Sequence, residues 1–201
     1  MIDLGLLPRG TDYTIRQITK AATLTSPQGG ADIRVNRTGD RWGIEIDVQS
    51  LRYSACGAAM IADLARGHAE GVSVIIPQPK LTLTNPGALT VDGASQTGTT
   101  LNVKTGTPGV VLKKGRFIHV AVTISGGVRR YAYQLTADAT INGAGKAALA
   151  IWPMIRRSPA NSDAVETMAP RFEGLLDGEG LEYSPRRIGG VGFKIKINER
   201  A

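Results

Sequence analysis

The chain has 201 residues, 42% of them apolar, enough for a buried core in one domain or two small ones. Its single cysteine, Cys56, excludes an internal disulfide and a Cys-based zinc site, and no apolar run approaches the roughly 20 residues of a membrane span. The net charge of +7 is spread in pairs (Lys113-Lys114, Arg129-Arg130, Arg156-Arg157, Arg186-Arg187) without the interleaved aromatics that stack single-stranded bases. An acidic partner surface therefore accounts for the charge as well as nucleic acid does.

The opening MIDLGLLPRG lacks the cationic-then-apolar order of a signal peptide, and the expectation is a soluble protein. Trp42, Ile44, Ile46 and Val48 alternate with Gly43, Glu45 and Asp47, the mark of a strand with one apolar face. Ser54 is placed to cap a helix in which Gly57, Met60, Ile61 and Leu64 share a side, and Gly67 is placed to end it in the left-handed conformation. The small residues from Ala55 to Ala59 let that helix lie close to a sheet, with Cys56 as a small buried hydrophobe. A β-branched run at 72–76 stops at Pro77.

From Leu81 the pattern is all-β. Leu81-Thr82-Leu83 reads as a short strand, Asn85-Pro86-Gly87 as a turn, and 101–103 and 110–112 as short strands. Ile118, Val120, Val122 and Ile124 alternate on one run, and Tyr131, Tyr133 and Leu135 on the next. The Gly126-Gly127 turn between them predicts a β-hairpin over 116–135, turning at 125–127. Asn142-Gly143 turns into a further strand at 146–152. Several short strands at close spacing predict a small barrel or sandwich. The polar tract 157–167 reads as a return connection, and 171–176 and 192–198 as strands, the last pairing back with the N-terminal sheet.

The chemical motifs fail on context. Gly143-Ala144-Gly145-Lys146 has Thr140 and Ala147 where a phosphate loop needs Gly and Ser or Thr, and a strand follows instead of a helix. Gly189-Gly190-Val191-Gly192 likewise leads into a strand, with no helix N-terminus for a phosphate. His68 falls just past the helix end, His119 on the polar-facing side of its strand, and the two are not spaced to share a metal. No nucleophile, base and orienter form a set, so the expectation is a non-enzyme with no catalytic residue, metal or cofactor.

The tract VDGASQTGTTLNV, then TPGVVLKKGRFIHV, then RRYAYQLTADATINGAGKAALAIWPMIRRSP resembles a segment of tail-tip proteins from long-tailed bacteriophages. The resemblance rests on Gly93, Gln96, Gly98 and Leu101, then Leu112, Lys113, Gly115 and Phe117. It continues through 136–139, Gly145, Leu149, Ile151, Pro153, Arg156, Ser158 and Pro159. Arg116 stands where that pattern commonly has Asp. The likeness implies a distal tail or minor tail protein: a mainly β, tail-tube-like two-sheet core with one short helix (residues 1–90 with 161–201) and an inserted β-subdomain, a small barrel or sandwich, at 91–160. It also implies a virion location after synthesis in the host cytoplasm, and a homo-oligomeric ring, a hexamer, joining the tail tube protein to the baseplate hub or fibres.

An open two-sheet fold has strand edges that ring subunits can pair across neighbours. The candidate ring contacts are Trp42, Glu45 and Asp47 on one strand and Lys194 and Lys196 on the other, with the charges pairing between subunits. The inserted subdomain is expected to close its own sheet, so that excising it leaves a folded core. The alternative function is a small β-barrel binding module for nucleic acid or glycan.

Overall fold

The computed structural model describes residues 1–200 except 6, 9, 26–28, 36–38, 53–54, 80, 82, 179 and 186–189, with backbone alone for Arg34, Ser50, Ala55 and Cys56. The expected cap Ser54, the Arg186-Arg187 pair, Gly189 and the Cys56 side chain lie outside the described residues.

The N-terminal part gives β1 (Ile2–Asp3), β2 (Thr11–Ile18), β3 (Ala22–Leu24), β4 (Ile33–Val35), β5 (Arg41–Arg52), helix α1 (Ala55–Glu70) and β6 (Val72–Ile75). The middle gives β7 (Leu89–Val91), β8 (Thr100–Lys104), β9 (Val111–Leu112), β10 (Phe117–Ile124), β11 (Gly127–Leu135), β12 (Ala139–Thr140), β13 (Ala147–Trp152) and β14 (Ala164–Glu166). The C-terminal part adds β15 (Arg171–Leu176), β16 (Tyr183–Pro185) and β17 (Gly190–Glu199). The chain is thus mainly β with a single helix among the described residues.

Two bodies result. A seven-stranded sheet runs β1-β6-β15-β17-β5-β2, with β16 also on β17, and β10-β11-β13-β8-β7-β14 close into a barrel. The expected pairing of the last strand is present: Ile44, Ile46 and Val48 of β5 face Ile197, Ile195 and Phe193 of β17. All six are buried in one core with Leu64, Val72, Val74 and Phe172. Alternation produces this directly, since residues two apart on a strand share a face. The barrel has its own core, in which Ile118, Val120 and Val122 meet Tyr131, Tyr133 and Leu135. The hairpin between those runs turns where the sequence predicts, with Ile124 opposite Gly127.

Several expectations shift. Helix α1 does not stop at Gly67 but at Gly71, whose φ of +83° supplies the left-handed cap and whose N–H donates to the Gly67 carbonyl at 2.8 Å. Gly67 is needed for packing instead, because a Cβ there would lie 2.3 Å from Val72 Cγ1. Leu81 and Leu83 lie outside any strand. The 157–167 tract is not merely a connection. Its β14 pairs with both β10 and β7 and closes the barrel, so the barrel's strands span 89–166, beyond the 91–160 segment.

The Gly-rich entry is cross-braced rather than open. The Gln96 amide donates to the carbonyls of Asp92 and Asn102 at 2.9 and 3.1 Å, and its oxygen accepts from Asn102 N–H at 2.7 Å. Gly145, from the phosphate-loop look-alike, sits where a Cβ would come within 2.8 Å of the Gly106 carbonyl. Both motifs are braces of the barrel wall.

Candidate assembly surface and its seam

The five candidate ring residues do not act together as expected. Trp42 is buried inside the chain, edge-on to Phe117 (5.1 Å between ring centroids) and Trp152 (4.6 Å). It belongs to the seam between sheet and barrel, because the outward side of β10 and β11 is itself covered: Phe117 and Ala132 enter the core of the sheet. The charges pair within the chain. Lys194 Nζ meets Glu45 at 2.5 Å and Lys196 Nζ meets it at 3.8 Å, so β5 and β17 satisfy one another across their ladder. The Lys194 hydrogen bond holds the Glu45 carboxyl below its usual range. Asp47 faces Lys194 on one side and Asp12 of β2 on the other. These residues form a charged ladder on the sheet face turned away from the core.

The seam carries the polar residues that the sequence leaves unassigned. Strand β11 meets β13 only at Gln134 and Leu135, so the outward N–H groups of Arg130 and Ala132 need other acceptors. Glu173 and Glu199 provide them: Arg130 N–H donates to Glu173 at 2.9 Å and Ala132 N–H to Glu199 at 2.8 Å. Arg156 donates to Glu199 at 2.6 Å and to the Ala132 carbonyl at 3.3 Å. The buried Arg156–Glu199 pair therefore gives Ala132 both hydrogen bonds that a neighbouring strand would. Its guanidinium also lies 5.2 Å from the centre of the Tyr131 ring and 5.6 Å from that of Tyr133, a cation–π arrangement.

Arg116 and His119 are buried as well, against the expectation for His119, because they lie on this covered outer side. Arg116 donates to the Thr84 carbonyl at 2.9 Å and twice to that of Thr167, at 2.9 and 3.1 Å. It thus holds both passages of chain between sheet and barrel. His119 Nδ1 accepts from Arg171 N–H at 2.9 Å. Burial, with the Arg130 charge near it, pushes its pKa down to about 4, so the ring is neutral at pH 7. His68 lies within the helix, not past it, and its Nε2 is 2.8 Å from the Gly178 carbonyl.

Three open surfaces bear on assembly. Strand β2 is the free edge of the large sheet, eight residues long. The β3–β4 arm, in the connection from β2 to β5, pairs Ala22 with Val35 and Leu24 with Ile33, which puts all four on one face. That face is uncovered, with Leu24 58% and Ile33 61% exposed. Asp40, buried at the arm's base, accepts from Lys20 N–H at 2.6 Å. The third surface is a groove of about 590 Å³ with a mixed lining, between Ala58, Ile61, Ala65 and His68 of α1 and Leu181 and Tyr183.

Among the described residues no group of three or more His, Cys, Asp or Glu is placed to hold a metal ion. The fold and these surfaces define a mainly β chain, an open sheet joined to a closed barrel, with an unpaired edge beside an uncovered apolar arm. No protein-family model matches the chain, and no curated protein is significantly similar to it.

Proposed function

We propose that this is a structural, non-enzymatic protein of a long-tailed bacteriophage virion, a distal tail protein that closes into a ring between the tail tube and the baseplate hub or fibres. The observation that carries the assembly part is the eight-residue free edge of β2, continuous in the chain with an arm whose apolar face nothing covers. A long unpaired edge is a template for another chain, and an isolated two-stranded hairpin is at best marginally stable in water. Both features are liabilities in a monomer and contacts in an assembly. The arm and the α1 groove are different surfaces of one chain, which suits a head-to-tail contact that closes by rotation. In such a ring the charged ladder of Glu45, Lys194 and Lys196 faces away from the core and stays in solvent. The phage assignment itself is supported by the motif resemblance around 91–160.

Mass photometry and negative-stain microscopy of the purified chain test the assembly. Closed rings of one stoichiometry are expected, and Leu24→Glu with Ile33→Glu should return them to monomers with unchanged circular dichroism. A wild-type chain that stays monomeric at tens of micromolar overturns the ring. Labelling the chain in purified tails and finding it away from the tip overturns the location.

A further inference from the structure

Where β5 begins and β15 and β17 finish, an open cavity of about 450 Å³ is lined by Arg41, Arg129 and Arg200, with Asp177 and Glu199 in its wall and Leu175 beside them. Both acids are already engaged. Asp177 accepts from Arg16 at 3.3 Å, and Glu199 is taken up by Arg156 and by the N–H groups of Ala132 and Trp42. The guanidiniums of Arg41 and Arg200, by contrast, have no hydrogen-bond or ion-pair partner among the described residues. Arg41 Nε is in addition buried from solvent with no acceptor. Two guanidiniums without a partner among the described residues thus share a wall with a third, the partnered Arg129, and the two carboxylates of that wall are already engaged.

We infer that this cavity is a binding site for a phosphoryl oxyanion. Guanidinium forks match phosphate oxygens two at a time, and a phosphoryl group has three or more oxygens to set against two forks, where a carboxylate has two. The space exceeds that of a bare phosphate, and the half-exposed Leu175 gives an attached group an apolar wall. Free phosphate and the phosphodiester of a nucleic acid share this chemistry. The site adjoins the arm's base, since Arg41 follows Asp40 and pairs with Ile18 of β2, but it does not rest on the ring reading.

The test is calorimetric titration of the full chain, at fixed ionic strength, with inorganic phosphate, pyrophosphate, and a short single-stranded and a short duplex DNA. The same titrations are run on Arg41→Gln/Arg200→Gln and on Lys113→Gln/Lys114→Gln, which removes equal charge from the barrel's far turn. Saturable binding that falls at least tenfold in the arginine variant and holds in the lysine variant is expected. Binding of phosphate or pyrophosphate identifies a free ligand. Binding of DNA alone, with a steep salt dependence, identifies a phosphodiester. If the double variant does not fold, Arg200→Gln, which lies beyond the last strand, replaces it. No saturable binding of any probe, or an equal loss in both charge variants, overturns the site.

Discussion

Among the described residues every strand of the barrel wall has a neighbour on each side, whereas the seven-stranded sheet ends in β2 with nothing hydrogen-bonded along its outer edge. Closure makes the barrel a finished object toward solvent, and openness leaves the sheet with bonding capacity to spend outside the chain. The barrel is incompletely paired along the outer edge of β11, and there the sheet supplies carboxylates in place of a strand. An edge can thus be sealed by side chains as well as by backbone. A closed barrel, for its part, need not be an independent one.

The largest effect is expected from removing the barrel. Replacing 89–166 with a short linker strips Phe117, Ala132 and Trp152 from the sheet's core and bares Trp42. The sheet alone is expected to lose cooperative unfolding and near-ultraviolet dichroism, in place of the folded core that the sequence suggests. A shortened chain with sharp, dispersed NMR signals would show the two bodies to be separable after all.

Next in size is the sealed edge itself. Glu199→Ala leaves Arg156 charged and buried with the Ala132 and Trp42 N–H groups unmatched, and should cost about 3–5 kcal/mol in urea unfolding. A loss below 1 kcal/mol would mean that the carboxylate does not act as a strand substitute.

Acid should weaken the same seam through His119. Its folded pKa of about 4 lies below the ordinary 6.5, so between those values the unfolded chain binds more protons and stability falls as pH falls. The window is pH 6.5 down to 4, and the full effect is about 3 kcal/mol. Glu166, Arg130 and Arg171 also face the ring and shape the curve. His119→Asn, which keeps an acceptor for Arg171 N–H, should flatten the stability–pH slope in that window. An unchanged slope would assign the acid sensitivity to other groups.

The smallest effect belongs to the exposed ladder. Lys194→Ala should shift the urea-unfolding midpoint only slightly, because solvent screens an exposed pair. A larger loss would give that face a packing role that its exposure does not suggest.

The long strands were legible because each carries its own alternation, as in Ile44, Ile46 and Val48 or Phe193, Ile195 and Ile197. Strands β1 to β4 and β14 were not, since two- and three-residue strands are defined by their neighbours, and in β2 the apolar Tyr13 and Ile15 are diluted by Thr11 and Gln17. The helix end was misplaced because Gly67 and Gly71 look alike in sequence, and only the approach of Val72 separates a packing glycine from a capping one. Of the candidate surface, the strands bearing Glu45 and Lys194 were readable, but their register, and so their mutual pairing, was not. Trp42 and His119 were misread for one reason. Alternation tells the inside of a barrel from its outside and is silent on whether that outside is covered again.

Arg116 gives the two bodies a mechanical relation. The chain crosses between them twice, before β7 and after β14, and one guanidinium grips both crossings, at Thr84 and at Thr167. Two ropes lashed at a single cleat cannot lengthen independently. A pull on the barrel therefore reaches the sheet without slack, and a twist reaches it as rotation of the whole. Whatever the barrel is attached to, the sheet feels its load at once.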